Sequence, residues 1–532
     1  MIRHSSYLTS ESWNKFPWKK IQKNVFRLQR RIYKAMKEGN LVKAKSLQKL
    51  ILKSTSAKLL AIRQVTQLNK GKRTAGIDGK KALTNAERMQ LLQLLQHGAF
   101  EWRHQGLKEI PIPKKNGKVR MLKVPTISDR AWQCLAKLAL EPAHEATFNE
   151  RSYGFRPGRS AKDAQQYIRT NLRSSCNGKD KRVIELDIKK CFDRISHKAI
   201  MDRLIAPQAL KLGIFRCLKA GVSPEFPEQG TPQGGVVSPL LANIALNGIE
   251  DINKGYRRGY AVRYADDMII FLHPQEDASK FIRKIEEFLA ERGMEISPEK
   301  TKVTPATEGF DFLGWNFKVR KNGKFCCTPS VENYTAFREK VKRIANSSHY
   351  GAETKAQKIA PIVRGWRNYH DRCNLNDTRD SLWFLNHATF RKFLAEKKMT
   401  KYRAEALVKK AFPSVSWTEG KFVCVKGDKS PFDDDIAYWS KRQCKLYFGE
   451  TATALRKQNH ICGYCGLNFL PGDDIELHHK DGNHDNWKKN NLVAIHTHCH
   501  QYIHSGTAQA KNIQEPDVAK ATRPVLKERC GR

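Results

Sequence analysis

Arg263-Tyr264-Ala265-Asp266-Asp267 decides how the rest of the chain reads. Alternating residues Tyr260, Val262 and Tyr264 lead into it, and the apolar run Met268-Ile269-Ile270-Phe271 follows. That pattern predicts two strands of a hairpin with the acids at its turn. Adjacent carboxylates at the tip of a buried hairpin repel one another, and a cation shared with a third ligand relieves the repulsion. Val183-Ile184-Glu185-Leu186-Asp187-Ile188 offers that ligand: a short apolar strand with an acid at its end, and Phe192 five residues on. Side by side in one sheet, the two segments bring Asp187 and Asp266 to a shared Mg²⁺ site, the arrangement two-metal phosphoryl transfer needs. Taken alone, Asp-Asp in a turn is more often a solvated loop.

The surrounding blocks change that balance. The sequence resembles reverse transcriptases, specifically those encoded by group II introns, whose Tyr-Ala-Asp-Asp signature stands at Tyr264 to Asp267. The resemblance takes in, in order, residues 110–133, 151–164, 184–197, 230–246, 297–302 and 309–317. It implies an α+β multidomain chain: a right-hand polymerase of fingers and palm with an antiparallel palm sheet, a helical thumb and a small ββα-metal HNH domain. The expected boundaries are 1–105 for an N-terminal helical extension of the fingers, 106–330 for fingers and palm, and 331–419 for the maturase domain or thumb. A DNA-binding linker at 420–455, an HNH endonuclease at 456–508 and a polar tail at 509–532 complete it.

Composition agrees. The 532 residues allow several domains, and 40% apolar content supports real cores. A net charge of +44, from 97 basic and 53 acidic residues, points to a polyanionic partner, for which nucleic acid is the natural candidate. A membrane partner is disfavoured: no stretch approaches ~20 apolar residues, and residues 1–18 lack the apolar core of a secretion signal. Thirteen scattered cysteines suit a reducing interior, and the N-terminus favours a bacterial cytoplasm over an organelle.

Along the chain, apolar residues such as Phe26, Leu28, Ile32 and Leu47, Leu50, Ile51 predict basic-faced helices between about 20 and 68. By resemblance these contact intron RNA or template. Residues 109–120 predict a hairpin turning at Asn116-Gly117. The resemblance assigns Lys114 and Arg120, with Lys118 as alternative, to the triphosphate of the incoming deoxynucleotide. It turns the basic loop 154–160 toward the template, and it puts Phe192 beneath the sugar, where an aromatic ring excludes a 2′-hydroxyl. In 230–239 the glycines allow close backbone approach to a base pair, Gln233 can hydrogen-bond there, and Ser238-Pro239 reads as an N-cap and first helical residue. Aromatics at 310–317 mark strands, by resemblance the primer grip.

From 331 to 410 the pattern turns helical, with 18 Lys and Arg against 8 Asp and Glu. Gly365 to His370 matches the maturase segment, with Trp366 expected in the core. Asp433-Asp434-Asp435 reads as a solvated loop.

Cys462, Cys465, His496 and Cys499 form two clips about thirty residues apart, a set suited to structural Zn²⁺ in a module too small to fold well unaided. With Glu476-Leu477-His478-His479 between them, they resemble an HNH endonuclease. In that pattern His478, His500 and His504 hold a catalytic Mg²⁺ or similar divalent ion, and His479 is the general base, oriented by Asn491. A purely structural zinc ribbon is the alternative.

The resemblance implies an RNA-directed DNA polymerase, with Asp187 and Asp266 binding Mg²⁺ and Asp267 in support. It also implies a maturase for intron RNA and a nuclease that nicks target DNA for target-primed reverse transcription, and it is compatible with a homodimer. The alternatives are a retron or diversity-generating reverse transcriptase, or a splicing factor whose polymerase has lapsed.

Overall fold

In the computed structural model of the chain, the described residues are 13, 16–113, 117, 119–221, 227–252, 261–414, 423–444, 447, 449–469 and 473–504. Lys114, Lys118, Asn116 and Tyr260 lie outside them, as do the expected tail and residues 420–422, 445–446 and 448 of the expected linker. None of the described helices is long and apolar enough to cross a membrane.

The expected basic helices form as α1 (Trp18–Lys37), α2 (Leu41–Lys53) and α3 (Thr55–Arg63), followed by α4 (Asn85–Gly98). The side chains of Asn40, Ser54 and Thr84 each accept a backbone N–H at a helix start, satisfying donors that the helix itself leaves open. Helices α1 to α3 pack on α5 (Ile127–Glu145) and α4 packs on α3, and one continuous apolar core runs from Trp13 to Ile296. The expected boundary at 105 and 106 is therefore not a boundary between cores: the extension and the fingers are buried against each other.

Strands β1 (Lys108–Pro113) and β2 (Val119–Val124) form the expected hairpin. The central sheet has the order β4-β5-β3-β6, all antiparallel, from β3 (Arg182–Leu186), β4 (Ala261–Tyr264), β5 (Asp267–Leu272) and β6 (Lys302–Pro305). Strands β3, β4 and β5 are largely apolar and buried because both faces of the sheet are covered there, whereas β6 at the sheet edge is partly exposed. Ile184, Leu186, Met268 and Ile270 face the large core, while Val183, Val262, Ile269 and Phe271 face a second one. That second core is shared with helix α6 (Ala161–Leu172) and with a three-stranded sheet of β7 (Phe310–Phe312), β8 (Trp315–Val319) and β9 (Phe325–Pro329).

Helix α7 (Ser238–Leu246) starts one residue earlier than expected, with Val237 as cap, and stops at Leu246. Gly248 at φ 100° breaks it, a backbone region closed to most side chains. Four helices, α8 (Val331–Ala345), α9 (Ala352–Tyr369), α10 (Leu375–Leu394) and α11 (Lys401–Ala411), enclose a core of their own. Trp366 lies in it as expected, stacked on Phe337 at 4.5 Å. Tyr369, one turn on, leaves that core. It stacks flat on Trp315 at 4.4 Å and donates to the Leu313 carbonyl at 2.7 Å, docking the bundle on the three-stranded sheet.

Helix α12 (Ile436–Cys444) is anchored rather than loosely linked: its Arg442 reaches both carboxylate oxygens of Asp163 at 2.8 Å. Asp433-Asp434-Asp435 is not a merely solvated loop. Asp433 accepts the Trp439 indole N–H at 3.2 Å, Asp435 caps the helix through Tyr438 N, and Asp434 pairs with Arg30 of α1. The C-terminal module consists of α13 (Gly449–Lys457), the antiparallel pair β10 (Ile475–His479) and β11 (Leu492–His496), and α14 (Thr497–His504) around a small core.

Arg263 is wholly buried in β4 and ion-paired with Glu250 at 2.5 Å. Arg263→Met strands that carboxylate and should lower stability by about 3–5 kcal/mol, seen as a lower calorimetric melting temperature. The double variant Arg263→Met/Glu250→Met, which leaves no lone charge, should melt above the single one. A single variant melting with wild type would contradict the assigned role.

Candidate functional site

The register of the central sheet sets the carboxylates. Leu186 pairs with Met268 and Tyr264 with Asp267, so Asp187, the residue after Leu186, stands across from Asp267, and Asp266 sits in the two-residue turn beside them. All three acids therefore lie at one end of the sheet. Ala265 makes the turn at φ 61°, an unfavourable conformation for an alanine that needs outside support.

That support is Arg263. Its guanidinium donates to the Ala265 carbonyl at 2.9 Å, to Asn243 Oδ1 at 2.8 Å and to Ser152 Oγ at 2.8 Å, besides Glu250. Asn243 in turn donates to the Gly154 carbonyl at 2.8 Å. Gly154 is pressed against the turn so closely that a Cβ there would lie 2.3 Å from Ala265 N. The basic side chains of that glycine-rich loop do not face a template groove: Arg156 is buried on both oxygens of Glu145, and Arg159 is buried against backbone carbonyls. The loop braces the acidic turn.

Electrostatics show the strain of the three acids. Burial, then the neighbouring charge of Asp187, raises the Asp266 carboxyl, while Arg120 and Arg263 oppose the rise. Asp267 has an edge open to solvent, yet its surroundings and the charges of Asp266 and Asp187 push it up to about 6. A hard divalent cation is the species that a cluster of carboxylate oxygens in this condition fits. Lys300 Nζ donates to Asp187 Oδ2 at 3.0 Å, a contact the sequence reading did not assign.

Three expected nucleotide-binding residues lie beside the acids. Arg120 of β2 donates to Gln233, Gln233 Nε2 donates to Asp193 Oδ1 at 3.0 Å, and the charge of Arg120 reaches Asp266. Phe192 is half-buried, its ring 6.5 Å from that of Phe155 and edge-on to it, with its carbonyl accepting Thr231 N at 2.7 Å. Lys114 falls outside the described residues.

The C-terminal module brings together two groups of metal-ligating atoms. Those of Cys462, Cys465, His496 and Cys499 all lie within 4.8 Å of one another. Zn–S bonds of about 2.3 Å in a tetrahedron put sulfurs roughly 3.8 Å apart, so three thiols and one imidazole fit that ion. Hydrogen bonds from Cys465 and Cys499 hold the Cys462 thiol well below its ordinary value, and Asp473 accepts from the far nitrogen of His496 at 3.3 Å, orienting the ring.

The second group is His478, His500 and His504, again within 4.8 Å. His500 and His504 approach nitrogen to nitrogen at 3.2 Å, and Glu476 Oε2 takes the other nitrogen of His500 at 2.7 Å. His479, next on β10, is buried with neither ring nitrogen hydrogen-bonded, flanked by His484 and Trp487 at 5.2 Å. Asn491 does not touch it. Its side chain bonds Asp481 and Asn486 instead, so it holds the loop between β10 and β11 and does not orient His479 through a direct bond. A local sequence pattern cannot distinguish these two uses of an asparagine beside a strand.

Comparison with known proteins accords with this arrangement. Residues 112–317 match the family of the reverse transcriptase (RNA-dependent DNA polymerase), residues 13–95 the N-terminal domain of reverse transcriptase, and residues 334–411 the group II intron maturase-specific domain. The chain is 37% identical to Maturase-like protein 1 of Euglena gracilis, over 75% of this chain and 86% of that protein. It is 24% identical to group II intron-encoded protein LtrA of Lactococcus lactis subsp. cremoris, over 82% of this chain and 92% of the other. Protein YkfC of Escherichia coli is 29% identical over 52% of this chain and 85% of its own length. With a reverse transcriptase domain whose acidic turn and partner strand share one sheet, and a maturase-specific domain docked beside it, the chain belongs to the group II intron reverse transcriptase and maturase family.

Proposed function

We propose that the chain is an RNA-directed DNA polymerase and the maturase of its own intron RNA, and that its C-terminal module is an HNH-type DNA endonuclease. Together these activities serve intron mobility by target-primed reverse transcription in a bacterial cytoplasm, the setting the Lactococcus relative favours. The convergence of Asp187, Asp266 and Asp267 at one end of one sheet carries the polymerase reading.

In that reading Asp187 and Asp266 hold Mg²⁺, with Asp267 in support. When bound, two such ions would activate the primer 3′-hydroxyl and neutralise charge on the departing pyrophosphate. Arg120 and Lys114 bind the triphosphate, and Phe192 closes the space a 2′-hydroxyl would need. Gln233, held between Arg120 and Asp193, presents its amide to the new base pair. Lys300 holds the Asp187 carboxylate in place through the hydrogen bond from its Nζ. The maturase-domain match weighs against a retron or diversity-generating enzyme, and the intact acids weigh against a lapsed polymerase.

The nuclease reading rests on the His478, His500 and His504 group and on a buried His479 with both nitrogens free of protein partners. The three histidines would hold a divalent ion, and His479 would take the proton from water. Cys462, Cys465, His496 and Cys499 would hold zinc as a structural staple. Basic helices α8 to α11 would meet intron RNA.

Asp266→Ala should abolish RNA-templated extension with deoxynucleotides by at least about a thousandfold, yet leave intron RNA binding and splicing in place. Loss of all three together would contradict a separable polymerase site. For the module, His479→Ala should remove nicking of target DNA with zinc content unchanged, and retained nicking would rule out His479 as the base.

A further inference from the structure

One face of α1 borders the C-terminal module rather than the acidic turn. Lys19, Lys23, Arg27 and Arg30 recur every three or four residues and make one stripe along the helix. Arg30 pairs with Asp434, whereas among the described residues no carboxylate pairs with Lys19, Lys23 or Arg27. The stripe forms one wall of a cleft of about 200 Å³, and the other wall carries Ile436, Leu467, Asn468 and His498 from α12 and the zinc-bearing module. Gln22 closes one edge by donating to Asp473 at 3.0 Å. Asp473 also accepts from His496, so its negative charge is already engaged.

The dimensions and chemistry select the occupant. A site enclosing a free small molecule usually offers about 300–1,000 Å³, so this smaller, open cleft suits one unit of a longer chain. Cations four residues apart on a helix are spaced by roughly 6 Å and can follow successive phosphates. Phe26, Ile436 and Leu467 add apolar surface for a base or sugar, the pairing of charge and platform that single-strand binders use. A duplex is too wide to enter. Helix α14 contributes His498 to the cleft and His500 and His504 to the second metal group, so a strand seated here runs along the module itself.

We infer that the cleft between the Lys19, Lys23 and Arg27 stripe of α1 and the zinc-bearing module binds a single strand of DNA. The choice of DNA over RNA rests on the nuclease reading of that module; the binding site does not.

Full-length protein is titrated with a fluorescein-labelled single-stranded deoxyoligonucleotide, and with RNA of the same sequence, over a range of salt. Zinc content and melting temperature serve as fold controls. The triple variant Lys19→Glu/Lys23→Glu/Arg27→Glu should weaken DNA binding at least about tenfold and flatten the plot of log affinity against log salt by about 2. Asn468→Glu, on the opposite wall, should also weaken DNA binding. Unchanged DNA affinity in the triple variant would overturn the inference, as would a silent Asn468→Glu, which puts the strand on the outer surface of the helix, or a loss confined to RNA. Failure of the nuclease reading shows separately, as DNA bound in the cleft but never nicked.

Discussion

A single buried guanidinium holds the acidic turn. Arg263 is fully removed from solvent, and burying a charge is costly unless it is paired and hydrogen-bonded. Here Glu250 balances the charge, while Asn243, Ser152 and the Ala265 carbonyl take further N–H groups. The last of these bonds ties the network to the one residue of the turn in left-handed conformation. Asp266 and Asp267 are thereby fixed beside Asp187 although their charges repel. Burial, then that repulsion, pushes the Asp267 carboxyl up to about 6, and a bound divalent ion would relieve it.

Around this point the chain uses paired aromatic and ionic contacts to fix its parts. Tyr369 stacks on Trp315, which docks the helical bundle on the three-stranded sheet. Asp163 starts α6 with a capping box and also receives Arg442, which sets α12 on the fingers. Asp473 joins His496 of the cysteine-histidine cluster to Gln22 of α1. Each contact ties together elements that lie far apart in the chain.

Much of this was legible in the residues. Alternation and unbroken apolar runs located β3, β4 and β5, and the four spaced ligands located the cysteine-histidine cluster, because those signals are local. What was hidden depends on pairing across long separations. Arg156, Arg159 and Arg263 look like nucleic-acid contacts in a chain of this charge, and only the buried Glu145 and Glu250, remote or unremarkable in sequence, turn them inward. The shared core of the N-terminal helices and the fingers was invisible for the same reason, since helical periodicity tells which face is apolar and not what covers it. Lys300 and Asp473 carried no local signal, being ordinary charged residues until the fold sets them against Asp187 and His496. Asn491 was found as a residue and misassigned as a contact, because neighbouring positions on a strand and its loop differ in direction more than in sequence.

The most direct measurement replaces Mg²⁺ by Fe²⁺ and maps where hydroxyl radicals generated at the bound ion cut the polypeptide. A single cation site shared by Asp187, Asp266 and Asp267 predicts cleavage both near 187 and near 266–267, suppressed at both places together by excess Mg²⁺. Cutting at one segment without the other, or at neither, would contradict the convergence of the three carboxylates on one ion.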